Sequence, residues 1–212
     1  MRPTGIMRIL FNLRKYLLAS ASAGLLLLGA SVAHAEGDWD IDRLMQALSQ
    51  VRAGHASFVE KKSIAMLDAP VESSGELFYT APDKLEKRTL KPKPEAMLLD
   101  GSNITVERRG KKHVLQLQSY PEIAAFIDSI RGTMAGDRAA LERNFKLSLE
   151  GSEQDWTLGL VPTNDKMKKV VQKLRMGGSG GELRSIAIHQ ADGDSSVMTI
   201  TPLAVTPVTP AP

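Results

Sequence analysis

Two hydrophobic periods share this chain, and the places where one gives way to the other constrain its fold more than any single motif. From Asp40 to Arg52 the apolar residues Ile41, Leu44, Met45, Leu48 and Val51 recur at the spacing of one helix face. Asp40 or Asp42 can cap the start of this helix, and Gly54 can end it. The period then changes to two. Segments 56–64, 75–80 and 85–90 alternate, with Leu77 and Tyr79 on one face and Glu76, Phe78 and Thr80 on the other. Turn signals separate them at Asp68-Ala69-Pro70, Ala81-Pro82-Asp83 and Pro92-Lys93-Pro94. Residues 96–99 lead into the turn Asp100-Gly101-Ser102-Asn103, and short strands at 104–107 and 114–117 flank the turn at 108–112.

A helical interlude follows. Pro121 suits a first helical position, and Ile123, Phe126, Ile127, Ile130 and Met134 form an apolar stripe that ends near Gly136. Asp137 can cap a second helix in which Ala140, Leu141 and Phe145 face one way. Strands resume at 145–150, 156–161, 170–176, 185–189 and 197–201. The stretch Gly177-Gly178-Ser179-Gly180-Gly181 reads as a flexible loop and Asp192-Gly193-Asp194 as a hairpin turn. The expected fold is α+β: one long antiparallel sheet with a helix before it and two helices inserted in its middle. Such a sheet either closes as a barrel or curls and takes the helices as its second layer.

Residues 1–35 read as an export signal: Arg8, Arg14 and Lys15 precede an apolar run from Leu17 to Gly29, which ends on Ala33-His34-Ala35. A retained anchor is the rival reading, but the run is shorter than the ~20 residues of a spanning helix and is broken by serines. Cleavage after Ala35 removes four basic residues and no acidic one, so the formal net charge of +3 becomes −1. The basic balance therefore belongs to the signal and offers no argument for nucleic acid or anionic membranes. Residues 36–201 are long enough for one domain with its own core, and folding at that size buries about 70% of the unfolded chain's surface. There is no cysteine, so disulfides, thiol chemistry and thiolate zinc sites are excluded. Residues 202–212, punctuated by proline, read as an extended, disordered tail.

Signs of chemistry are sparse. His55, His113 and His189 are isolated in sequence, without the spacing that brings two ligands onto one helix face, so no metal site is expected. The Asp192/Asp194 pair is better explained by its hairpin than by acid catalysis. The glycine-rich stretch lacks the Gly-Lys-Ser/Thr ending of a phosphate cradle, and no cofactor is expected. Two basic clusters, 108–112 and 166–173, read as a solvated turn and a solvated strand face, with docking to an acidic partner as the functional alternative.

Several words of the sequence bear on its kinship. The run Gln50-Val51-Arg52-Ala53-Gly54-His55-Ala56-Ser57-Phe58-Val59-Glu60-Lys61, then Gly75-Glu76-Leu77-Phe78, Ala81-Pro82 and Leu98-Leu99-Asp100-Gly101, resembles the LolA family of periplasmic lipoprotein carriers. The resemblance is carried by words over residues 39–107 and by element order alone over 108–201, and it is to a side branch rather than to the principal carrier. It implies a half-closed antiparallel barrel with helices packed in its concave side as a lid, over an apolar cavity. It also implies a monomer without catalytic residues, working between an inner-membrane donor and an outer-membrane acceptor. Principal carriers hold the lid with an arginine where this chain has Ala81, and place an aromatic where it has Lys87.

Physics explains why such a carrier is needed. Exposing an acyl chain costs about 0.8 kcal/mol per methylene, so a chain of ~16 carbons faces on the order of 12 kcal/mol in water. The expected function is binding of lipoprotein acyl chains or another lipid and delivery toward the outer membrane. The expected contacts are Phe58, Leu77, Tyr79, Leu85, Met97, Phe126, Ile130 and Met134, with Lys87 or Arg88 at the mouth pairing an anionic headgroup. Two other classes stay open: an accessory protein docking to a lipid export system through residues 166–173, and a hydrolase whose catalytic groups come from distant strands.

Overall fold

The computed structural model describes residues 39–203. Residues 1–38, which include the expected export signal, and the segment beyond Leu203, which holds most of the expected tail, lie outside the described residues. Helix α1 (Ile41–Ser49) leads into six strands, β1 (Ala53–Ser63), β2 (Val71–Thr80), β3 (Lys84–Lys91), β4 (Glu95–Asp100), β5 (Asn103–Arg108) and β6 (Lys111–Gln116). Helices α2 (Pro121–Ala135) and α3 (Arg138–Glu142) follow, then β7 (Phe145–Ser152), β8 (Asp155–Pro162), the one-turn helix α4 (Asp165–Lys168), β9 (Val171–Ser179), β10 (Glu182–Gln190) and β11 (Ser195–Pro202).

Among the described residues, eleven strands form one antiparallel sheet in the order β6-β5-β4-β3-β2-β1-β11-β10-β9-β8-β7. Each half is a meander, and pairing of β1 with β11 joins them, Phe58 opposite Ile200 and Ala56 opposite Pro202. The sheet curves without closing, because β6 and β7 are its two edges. Every residue of β6 is exposed, and Lys111 and Lys112 supply the charge that discourages pairing at an edge. The Leu203 amide still donates to the His55 carbonyl at 2.8 Å, so regular pairing runs slightly past residue 201.

The helices sit on the concave face. The Asp40 side chain caps α1 by accepting from the Arg43 amide at 2.9 Å. That helix buries Leu44, Met45 and Leu48 against Leu141 of α3 and against Trp156, Leu158 and Leu174 of the C-terminal meander. Gly136 ends α2 in the left-handed region, φ 67°, and a Cβ there would stand 2.1 Å from the Met45 carbonyl oxygen. Glycine is therefore required both by the turn and by the approach of α1.

Three local expectations are corrected. Gly177 and Gly178 are not loop but the end of β9, where the Trp156 indole lies on Gly178 and donates to the Gly180 carbonyl at 2.9 Å. A glycine-rich stretch is flexible only when nothing packs against it. Phe145 is not on the face of α3 but opens β7, buried at 2% exposure. Residues 166–173 are not one strand face, because Asn164 caps α4 and the lysines divide between that turn and β9. Lys168 also pairs with Asp165 at 3.1 Å.

Candidate functional site

Between the concave face of the sheet and α2 lies a cavity of about 540 Å³, within the range of small-ligand sites. Strand alternation makes its wall. Leu77 stands opposite Ala56 on one side and Lys87 on the other, Lys87 is opposite Met97, and Tyr79 is opposite Leu85, which is opposite Leu99. The roof comes from α2, where Phe126, Ile127, Ile130 and Met134 face the cavity. Phe126 also packs against both buried clusters, one under each half of the sheet. The side chain of Ile123, expected in the same stripe, lies outside the described residues.

Seven expected positions line the cavity together: Leu77, Tyr79, Leu85, Met97, Phe126, Ile130 and Met134. Phe58 shares their face but is covered, at 2% exposure, by the Lys87 ammonium 4.8 Å from its ring centroid. Lys87 itself lines the cavity and pairs with Glu60 at 2.5 Å.

Arg88 is placed on the opposite face, because neighbouring residues of a strand point to opposite sides. There it lies over Phe78 at 4.5 Å and bonds Glu86 at 2.6 Å, while His55 stacks on the same ring at 4.4 Å. The bond to Glu86 holds the Arg88 guanidinium even more firmly protonated than usual. Arg88 therefore does not stand at the mouth beside Lys87.

A second wall comes from outside the expected residues. Ile186, Ile188, Met198 and Ile200 of β10 and β11 also line the cavity. Their alternation is plain in sequence, but only the long-range pairing of β1 with β11 brings them beside Ala56 and Glu60.

Two polar contacts hold the roof to the sheet. The Tyr79 hydroxyl donates to the Met134 carbonyl at 3.4 Å, and the Arg131 guanidinium donates to the Gly101 carbonyl in the β4–β5 turn. Arg131 also lies 3.7 Å from Asp128. Burial raises the Tyr79 pKa above its usual value; Arg52 opposes the shift and Asp83 adds to it. Ala81, at the position where the resemblance places a lid arginine in principal carriers, donates its amide to the Arg52 carbonyl at 2.9 Å.

The glycine-rich stretch also carries a catalytic pattern. Gly177-Gly178-Ser179-Gly180-Gly181 spells Gly-x-Ser-x-Gly, the pattern of a hydrolase nucleophile elbow. Such an elbow is a tight turn from strand to helix. Here the serine ends β9 and the chain turns back into β10, so the geometry is that of a hairpin. Among the described residues no three His, Cys, Asp or Glu cluster as metal ligands would, and no helix is long and apolar enough to cross a membrane.

Comparison with known proteins adds to this geometry. Residues 33–206 match the model of the family described as outer membrane lipoprotein carrier protein LolA-like. An outer-membrane lipoprotein carrier protein from Dechloromonas aromatica is 26% identical over 171 residues, covering 81% of this chain and 80% of that protein. One from Cupriavidus pinatubonensis is 22% identical over 202 residues, covering 94% and 92%. Among solved structures, a LolA superfamily protein from Nitrosomonas europaea aligns over 77% of this chain and 93% of its own, with 13% identity and a TM-score of 0.40.

Proposed function

Because the chain belongs to the LolA-like family of outer membrane lipoprotein carrier proteins, we propose that it is a periplasmic carrier which shelters the acyl chains of a lipoprotein, or of another lipid, on their way to the outer membrane. The observation that carries this reading is the apolar cavity of about 540 Å³ between the curved sheet and α2. A carrier has to offset most of the cost of wetting an acyl chain, which rises by about 0.8 kcal/mol per methylene. It must also release its cargo, which argues for a pocket covered by one helix rather than sealed inside a core.

In this reading Leu77, Tyr79, Leu85 and Met97 form the floor on which the chains lie, and Phe126, Ile130 and Met134 close over them. Ile186, Met198 and Ile200 extend the floor into the second meander. Phe58 supports that floor from beneath Lys87, and Lys87 is the cation that meets the polar end of the cargo. No bond is made or broken, so the carrier needs no nucleophile, cofactor or metal. Donor and acceptor proteins in the two membranes would load and unload it.

Native mass spectrometry with lipid extraction, on protein purified gently from periplasm, tests the proposal. A defined amphiphile bound one to one is the expected result. Protein that is empty and also fails to take up added lipid would overturn it.

A further inference from the structure

Lys87 and Glu60 form an ion pair in a place where hydrocarbon would be expected. Glu60 is on β1 and Lys87 on β3, with β2 between them. Lys87 can cross that gap because the intervening position opposite Phe58 is Gly75, which projects no side chain. A Cβ at Gly75 would stand 1.9 Å from the Arg88 carbonyl oxygen, so the backbone itself excludes a larger residue. The ammonium passes over the Phe58 ring and reaches the carboxylate at 2.5 Å, and both residues line the cavity. Their side chains keep only 24% and 18% of their exposure.

A charge pair in this position discriminates among ligands. An acyl chain laid over it would strip the remaining water from both charges and return nothing. An anionic headgroup would have to take Lys87 from Glu60 and leave a half-buried carboxylate unpaired. A headgroup carrying both signs meets neither penalty, because its cation can face Glu60 while its anionic oxygens face Lys87. Resting on the carrier reading above, we propose that the Lys87–Glu60 pair is the headgroup subsite of the cavity and that it selects amphiphiles with a zwitterionic head over those with a net negative one.

The test compares two lysolipids of equal acyl length, lysophosphatidylethanolamine and lysophosphatidylglycerol, titrated by calorimetry into the mature protein and into Glu60→Gln and Lys87→Gln. The unmodified protein is expected to bind the zwitterion more tightly, by about tenfold. Glu60→Gln frees the ammonium and should reverse the order, whereas Lys87→Gln should weaken both but the anion more. The wild-type ratio needs no substitution, so it decides even if a variant folds poorly. Equal affinities in wild type, or a ratio that neither variant moves, would reduce the pair to a cross-brace of the concave face and overturn the inference. An apolar fluorophore, N-phenyl-1-naphthylamine, separates the two failures. If it binds while the lysolipid ratio stays flat, the headgroup subsite alone falls. If neither it nor any lysolipid binds, the carrier reading falls and this inference falls with it.

Discussion

The Arg131 guanidinium, carried on the helix that roofs the cavity, donates to the Gly101 carbonyl in the turn between β4 and β5. The direction of this contact is informative. The sequence has Ala81 where the resemblance implies a strand-side arginine to hold the lid, and here the cation comes from the helix and its acceptor from the β4–β5 turn. A charge-assisted hydrogen bond to backbone contributes about 1.5–3 kcal/mol. Replacing Arg131 by Met should therefore free α2 before it unfolds the sheet. Hydrogen exchange is the measurement: amides of α2 should exchange at least about tenfold faster while those of β1 and β11 stay protected. Uniform loss of protection would show that Arg131 serves the whole fold and not the roof.

Tyr79 provides a second hold on α2 with a pH signature. Burial keeps its phenol protonated beyond the usual tyrosine value of about 10, so the unfolded chain gives up this proton first. The contribution to stability is thus complete below about pH 10 and declines as pH rises past that value. Lysines titrate in the same range, so the quantity to follow is the difference between wild type and Tyr79→Phe in urea melts from pH 8 to 11. That difference should shrink at the alkaline end. A constant difference would mean that the phenol ionises equally in both states.

Glycines in the β9–β10 hairpin should respond to substitution very unequally. A Cβ at Gly178 would lie 2.1 Å from the Glu182 carbonyl oxygen and 2.5 Å from the Trp156 ring. Neither can retreat, since one is sheet backbone and the other is fully buried, so Gly178→Ala should cost about 3 kcal/mol. Gly180 has φ 53° and open space around it, and asparagine tolerates that conformation. Gly180→Asn should cost less than about 1 kcal/mol. Thermal melts of both variants, with near-ultraviolet dichroism reporting on Trp156, separate the two cases.

A charge placed in the roof should abolish binding with little effect on the fold. Ile130 faces the cavity and is only partly buried, so Ile130→Glu can keep its carboxylate wet in the empty protein but not beneath hydrocarbon. Uptake of an apolar fluorophore should fall by at least about tenfold. Arg88→Gln, on the convex face, should bind like wild type, and if it did not, the separation of the two faces drawn here would be wrong.

The parts of this molecule that could be read from its sequence are those fixed by neighbours. Alternation alone places Leu77, Tyr79 and Leu85 on one face, and the helical stripe places Phe126, Ile130 and Met134 on another. What escapes such reading depends on partners far along the chain. The second wall waits on the pairing of Phe58 with Ile200, which no local pattern announces. Gly178 looks mobile until Trp156 is laid on it, and Lys87 looks like a free cation until Glu60 is found two strands away. Arg88 is a different case: strand parity, visible in sequence, already separates it from Lys87.

The joining of the two meanders through β1 and β11 also bears on how the protein is made. Among the described residues β1 is the first strand in the chain and lies at the centre of the sheet, yet one of its two partners is the last. Until β11 arrives, that side of β1 offers unpaired backbone, and the concave wall lacks its second half. The other pairings join strands adjacent in sequence and can form as local hairpins, whereas the β1–β11 pairing closes a loop of nearly the whole described chain, the kind of contact that forms late and slowly. Each meander can thus assemble on its own, but the wall that faces α2 is whole only when the two ends of the described chain meet, so the cavity is the last feature of the fold to be completed.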